Sequence, residues 1–187
     1  MAVAPSTMIS LGTKAPDFTL PDTVSEKNLS LNDLKSKKAT VIMFICNHCP
    51  FVKHVNKELV KLATDYIPKG ISFIAISSNE VVNYPDDSPE KMKQTAKKLG
   101  YPFPYLYDES QEVARSYDAA CTPDFFIYDK ELKLVYRGQL DDSRPSNGIP
   151  VTGKDIRATL DNLLAGKNIP AEQKPSIGCN IKWKPRT

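Results

Sequence analysis

The sequence predicts an α/β domain with a central mixed β-sheet flanked by helices, and three observations carry that expectation. Two continuous apolar, β-branched runs, Thr40-Val41-Ile42-Met43-Phe44-Ile45 and Ile71-Ser72-Phe73-Ile74-Ala75-Ile76-Ser77, have the character of strands covered on both faces. Each run is followed by a segment with helical signals. Two further short runs, residues 125–128 and 133–136, flank the turn-like Asp129-Lys130 and read as a hairpin. Strands alternating with helices, then a hairpin, describe a sheet with a parallel core and an antiparallel edge.

Taken in order, Pro16-Asp17-Phe18-Thr19-Leu20 and Leu29-Ser30-Leu31 are short extended segments that predict an N-terminal hairpin, with a helical turn at Asp33-Leu34-Lys35. After the first apolar run, Val52, Val55, Leu59, Leu62, Ala63 and Tyr66 recur at steps of three and four, one face of a helix that Pro68 and Gly70 stop. With Cys46 or Asn47 as N-cap, Pro50 falls in the first turn, where its missing N–H costs little. After the second run, Ser88-Pro89-Glu90 reads as N-cap, N1 proline and acidic first turn of a helix ending at Gly100. The aromatics at 101–107 read as core and loop packing, and residues 110–117 as a short helix. Thr152-Gly153-Lys154-Asp155 resembles a capping box that opens a helix with Ile156, Leu160, Leu163 and Leu164 inside and Gly166 just past its end. In the tail, Ile177, Cys179, Ile181 and Trp183 alternate with Gly178, Asn180 and Lys182, which predicts an extended segment with that apolar set, Cys179 included, turned inward.

The chain of 187 residues is expected to form one domain, with a core over about residues 12–166 and residues 167–187 packed on the body. A domain of this length buries about 70% of its unfolded surface. The composition, 41% hydrophobic and 25% charged, is that of a globular protein, and a net charge of +3 without a basic stripe argues against nucleic acid as a partner. The densest basic run, Lys35-Ser36-Lys37-Lys38, reads as a solvated loop. No apolar stretch approaches the roughly 18 residues of a membrane span. The opening MAVAPSTMIS lacks the basic and apolar regions of a signal peptide, so a cytoplasmic location is expected. In that compartment four cysteines are too few for a disulfide scaffold, and a Cys-x-x-Cys pair points to redox or metal chemistry.

That pair is Cys46-Asn47-His48-Cys49, set between a buried strand and a helix. A helix N-terminus offers unpaired N–H groups and the positive end of the macrodipole, which favour an anion such as a thiolate. A cysteine pKa near 8.5 falls to roughly 3.5–7.5 in such places. Cys46, as the outer residue of the motif, is the expected nucleophile, and Cys49 the thiol that resolves the mixed disulfide. An imidazolium at His48 is expected to stabilise the Cys46 thiolate and make the disulfide more oxidising. Peroxide is also able to oxidise Cys46 to a sulfenic acid that Cys49 condenses with.

The order of parts, together with Thr122-Pro123-Asp124-Phe125-Phe126, resembles the thioredoxin fold, in which a cis-proline before the third core strand faces the cysteines. Gly12-x-x-Ala15-Pro16-Asp17-Phe18-x-Leu20 resembles the opening of the AhpC/TSA, or peroxiredoxin-like, branch. Cys46-Asn47-His48-Cys49-Pro50-Phe51, Cys121-Thr122-Pro123-Asp124-Phe125-Phe126 and Pro175-Ser176-Ile177-Gly178-Cys179-Asn180 are similar to a peroxiredoxin-like thioredoxin subgroup with a CxxC motif. The resemblance implies an oxidoreductase exchanging protein or small-molecule disulfides through Cys46 and Cys49, re-reduced by a dithiol donor, with Thr122 and Pro123 supporting the site and no cofactor or resident metal. It also implies an exposed strand edge at Thr122-Pro123 where a substrate docks. Two departures stand out. Against the peroxiredoxin pattern Pro-x-x-x-Thr-x-x-Cys laid on Cys49, Ile42 replaces the proline and Cys46 the threonine. Against thioredoxin, Thr40 replaces a buried Asp and Ile45 a Trp.

The alternatives are a peroxiredoxin-type, antioxidant hydroperoxide reductase, and a copper or zinc binder without turnover. Soft sulfur with imidazole suits copper, and Cys46, Cys49 and His54 are the candidate ligands, although a surface or packing role for His54 is the favoured reading. Cys121 and Cys179 are candidates for additional redox thiols or small buried hydrophobes. Arg137 reads as a solvated strand-end residue.

Overall fold

The structure is a computed structural model that describes residues 2–185. In chain order its elements are β1 (Val3–Pro5), β2 (Thr19–Pro21), β3 (Asn28–Ser30), α1 (Leu31–Leu34), β4 (Ala39–Phe44), α2 (Pro50–Tyr66), β5 (Ile71–Ser77), α3 (Pro89–Leu99), β6 (Tyr105–Tyr107), α4 (Glu112–Ser116), β7 (Cys121–Thr122), β8 (Asp124–Asp129), β9 (Leu134–Gly138), α5 (Lys154–Leu164) and β10 (Ile177–Asn180). The central sheet has the order β6-β5-β4-β8-β9, with β4, β5 and β6 parallel and β8 and β9 antiparallel to their neighbours. This mixed sheet with a parallel core and antiparallel edge is the thioredoxin-type architecture expected from the pattern.

All six residues of β4 are buried, so its side chains alternate between two apolar layers. Ala39, Val41 and Met43 pack with Val52, Leu59 and Leu62 of α2, Met92 of α3, and Ile156 and Leu160 of α5. Ile42 and Phe44 pack on the opposite side with Phe18, Leu20, Leu31, Ala114 and Tyr117, the last of these reaching Pro16 O through its hydroxyl at 2.7 Å. Truncating any of these large side chains to Ala costs about 2–5 kcal/mol of folding stability. The apolar periodicity of α2 falls on its buried residues, and a 3₁₀ turn over Ile67–Lys69 then closes at Gly70, whose φ of +89° suits glycine.

Five local expectations are corrected. Tyr105–Tyr107, expected as core and loop packing, are buried but form edge strand β6 beside β5; three residues are too few to show a period. The N-cap of α2 is Cys49, with Pro50 at N1, and neither Cys46 nor Asn47. Helix α5 has no capping box: Gly153 is its N-cap in the left-handed region, and Asp141 Oδ2 from a preceding loop accepts the N–H groups of Thr152 and Gly153 at 2.7 Å each. Arg137 is fully buried, paired with Asp124 and lying 3.8 Å over the Phe126 ring, because β9 carries it inward. In the tail Cys179 and Ile181 turn inward as expected, but Ile177 and Trp183 are exposed and Trp183 is covered by Arg115 at 4.3 Å. Lys182 is instead buried, its ammonium held by the Asn180 carbonyl and side chain.

The tail has a structural task. Strand β10 lies between β1 and β7 in a small antiparallel sheet, pairing Cys179 with Thr122 and Val3. The strand edge expected to dock a substrate at Thr122 is therefore already occupied. Gly178 permits this approach: a Cβ there would lie 2.0 Å from the Thr122 carbonyl oxygen.

Candidate functional site

Strand β4 delivers the chain to Ile45 and Cys46, and Cys49 caps α2 five residues beyond the strand's last position. The turn between the cysteines is pinned from a distant segment. Asp87, fully buried at the end of a 3₁₀ turn before α3, accepts the backbone N–H groups of Asn47 at 2.7 Å and His48 at 3.1 Å through Oδ1. Its Oδ2 lies 2.5 Å from His48 Nδ1 and accepts from Asn79 Nδ2 at 2.8 Å. Burial alone would raise the Asp87 carboxyl, but the bonds from His48, Asn79 and Asn47 hold it below its ordinary range. The Asn47 amide adds bonds to Asp86 O and from the Tyr105 hydroxyl.

Opposite the cysteines, the Thr122–Pro123 peptide is cis. Thr122 Oγ1 lies 3.4 Å from Cys46 Sγ, and the Thr122 carbonyl accepts from Cys49 Sγ at 3.2 Å. The support expected of Thr122 and Pro123 thus has a geometric form: a hydroxyl on one sulfur and a carbonyl on the other. Cys179 Sγ lies 2.6 Å from Cys49 Sγ. Cys46, Cys49 and Cys179 belong to one buried cluster, with Cys46 2% and Cys49 0% exposed. Cys121 points elsewhere, its sulfur against Pro123 O at 3.6 Å, and burial followed by the Asp124 carboxylate pushes its thiol well up.

The electrostatics differ from the expectation for His48. Its Nδ1 is 3.9 Å from Cys46 Sγ, but the nearer partner is Asp87, so any positive charge on the ring is balanced on the spot. The two motif sulfurs share a proton. Cys49 is pulled down to about 5, first by the Cys46 thiol donating to it, then by the Cys179 thiol and the Val52 N–H at the start of α2, with burial opposing. Cys46 is pushed up by that same shared proton, by burial and by the Asp87 charge. Burial and the neighbouring Cys49 raise Cys179 to about 12. Ionisation of the reduced pair is thus drawn toward Cys49 and away from Cys46.

Among the described residues, Cys46, His48 and Asp87 have potential ligand atoms within 4.8 Å of one another. His48 Nδ1 and Asp87 Oδ2 are in direct 2.5 Å contact, too close for a cation between them, and both Asp87 oxygens already accept N–H donors. His54, the imidazole expected for copper, is not part of this cluster and lines a separate groove with Phe51, Val55, Pro123, Arg144 and Ile177.

Sequence reasoning did not find Asp87. It lies 39 residues from His48 in sequence, in an irregular turn before a helix, where an acid ordinarily serves the helix N-terminus, so no local signal marks it.

The model of the AhpC/TSA family matches residues 11–137. The chain belongs to this family. A "Putative peroxiredoxin" of Mycobacterium tuberculosis is 28% identical over 114 residues, covering 61% of this chain and 67% of that protein. An uncharacterized conserved protein from Geobacillus kaustophilus is 65% identical with a TM-score of 0.98, covering 100% of this chain and 99% of that one. The thioredoxin domain of a thiol-disulfide oxidoreductase from Bacteroides vulgatus shares the fold, with a TM-score of 0.65 at 21% identity over 84% of this chain and 99% of that one. Among the described residues no helix is long and apolar enough to cross a membrane.

Proposed function

We propose that this AhpC/TSA protein is a thiol–disulfide oxidoreductase working through Cys46 and Cys49. The observation that carries this reading is the placement of both motif sulfurs at the N-terminus of α2 against the cis Thr122–Pro123 peptide, the Thr122 hydroxyl 3.4 Å from Cys46 Sγ and its carbonyl 3.2 Å from Cys49 Sγ. The pair holds one proton and one negative charge. When the proton passes from Cys46 to Cys49, the outer sulfur becomes the nucleophile and attacks a substrate disulfide, forming a mixed disulfide and expelling one thiolate. Cys49 then gives up its proton to the leaving sulfur and attacks Cys46, closing the Cys46–Cys49 disulfide and releasing the second thiol. A dithiol donor reverses the sequence. Thr122 Oγ1, 3.4 Å from Cys46, donates to that sulfur while it carries charge.

The likeness to the mycobacterial protein favours a second reading, hydroperoxide reduction. There the Cys46 thiolate takes one peroxide oxygen, releasing an alcohol or water, and Cys49 condenses with the sulfenic acid to give the same disulfide and water. The family pattern's threonine is replaced by Cys46 itself, so no hydroxyl from that position orients the peroxide.

Trapping tests both roles. Cys49→Ser is expected to accumulate a mixed disulfide at Cys46 with a small substrate disulfide, and Cys46→Ser to lose turnover. Full reductase activity in Cys46→Ser would refute the assignment. Faster turnover of hydrogen peroxide than of any disulfide by the wild type would favour the second reading.

A further inference from the structure

The Cys49–Cys179 contact joins the motif to the far end of the chain. Strand β10 is held in place by pairing on both sides, Cys179 opposite Thr122 and opposite Val3. Its approach to β7 depends on Gly178, since any Cβ there would strike the Thr122 carbonyl. The same Thr122 carbonyl receives the Cys49 thiol, so β7 places Cys49 and Cys179 on one support, with the sulfurs 2.6 Å apart. Cys179 is 2% exposed, within the cluster that holds Cys46 and Cys49.

We propose that Cys179 is a third redox thiol, which takes Cys49 over from Cys46 and so stores an oxidising equivalent behind the motif. The step rests on the disulfide-exchange reading above. It is an isomerisation: the Cys179 sulfur attacks Cys49 in the Cys46–Cys49 disulfide, the Cys49–Cys179 bond forms, and the Cys46–Cys49 bond breaks. Cys46 leaves as a thiolate and takes up the proton lost by Cys179. Two thiol equivalents remain oxidised throughout, so no outside oxidant or reductant takes part. The consequence is that Cys46 is released while the chain stays oxidised, and a second substrate disulfide is able to load onto it. The chain then carries a Cys46 mixed disulfide and a Cys49–Cys179 bridge together, a state that a two-cysteine site cannot reach.

The test maps bridges in the full chain. Wild type, Cys179→Ala and Cys46→Ser proteins are oxidised, wild type and Cys179→Ala with oxidised glutathione and Cys46→Ser with hydrogen peroxide. They are then acid-quenched, alkylated and digested for peptide mapping. Wild type is expected to show Cys49–Cys179 beside Cys46–Cys49, with part of Cys46 alkylated or glutathionylated in the bridged molecules. Cys179→Ala is expected to lose that state and keep Cys46–Cys49 alone. Cys46→Ser is expected to close Cys49–Cys179, peroxide turning Cys49 into a sulfenic acid that Cys179 condenses with, releasing water. The wild-type map decides if Cys46→Ser does not fold. Absence of Cys49–Cys179 from wild type, while Cys179→Ala closes Cys46–Cys49, overturns the third thiol and leaves the exchange enzyme standing. Failure of Cys179→Ala to close Cys46–Cys49 sinks the exchange reading, and the handover with it.

Discussion

The Asp87 carboxylate lies 2.5 Å from His48 Nδ1 while also accepting the backbone N–H groups of Asn47 and His48, so one buried acid fixes the whole turn between Cys46 and Cys49. This relationship changes the role of the histidine. In the motif alone, His48 reads as a cation serving a thiolate. In the fold its Nδ1 is held by Asp87, and the sulfur beside it experiences the charge of that acid. The charge that a reduced site needs is stabilised one turn further on, at Cys49, by thiol and N–H donors.

Asp87→Asn should therefore act on both stability and chemistry. The folded-state pKa of Asp87 is depressed, so its contribution to stability is present above its unfolded value of about 4 and is lost as pH falls through the lower folded value. Wild type should lose stability below about pH 4 more steeply than the variant. Near neutral pH the variant should be less stable by about 1–3 kcal/mol, since buried N–H donors lose a charged acceptor. The pH profile of Cys46 alkylation should shift to lower pH, because the carboxylate that raises it is gone. A stability loss with an unmoved alkylation profile would show that Asp87 only braces the turn.

The buried Arg137–Asp124 pair braces the other side of the site. Asp124, immediately after Pro123, also accepts from Ser6 Oγ at 2.7 Å and from the Ala120 N–H at 3.1 Å. Arg137→Met alone leaves a buried carboxylate without its cation and should cost about 3–5 kcal/mol in denaturant unfolding. Arg137→Met with Asp124→Leu should recover part of that loss. Equal destabilisation in the single and double variants would mean that packing, and not the uncompensated charge, dominates.

Gly178→Ala is a test of spacing without any change in charge. With 2.0 Å between the new Cβ and Thr122 O, β10 must move away from β7. Overpacking of this kind costs about 1–3 kcal/mol, read as a lower thermal midpoint. It should also slow exchange at Cys49, whose thiol shares that carbonyl. An unchanged midpoint would show that the small sheet yields freely.

Much of this architecture was legible in the chain because β4 and β5 are continuous apolar runs, α2 shows a helical period, and Gly70 and Gly100 mark where α2 and α3 give out. The cysteine pair was legible for the same reason: strand and helix flank it in sequence. What stayed hidden was supplied across long separations. Asp87 reaches His48 from a turn with no period, Arg137 finds Asp124 across a hairpin, and β10 covers the edge of the two-residue strand β7. A period of two placed Cys179 inward but did not name the strand that receives it, and it failed at Trp183, where a cation over the indole offsets exposure. The pattern states which face is apolar; the partner that covers it is decided by the rest of the fold.

With the strand edge at Thr122 occupied, the motif is open on the side of Asn47 and His48, which are half-buried rather than covered. A groove there is lined by Asn47, Lys53, Asp86, Lys91 and Lys98, three cations against one acid. Anionic disulfides should be favoured, since clefts dominated by one sign concentrate the opposite charge and lose that advantage as salt screens it. Lys91→Glu with Lys98→Glu should slow reaction with oxidised glutathione by about tenfold at low ionic strength, the low end of electrostatic steering. Reaction with the uncharged disulfide of 2-mercaptoethanol should change little, and the difference should shrink in high salt. Equal slowing of both substrates, or no dependence on salt, would place the entry route away from these lysines.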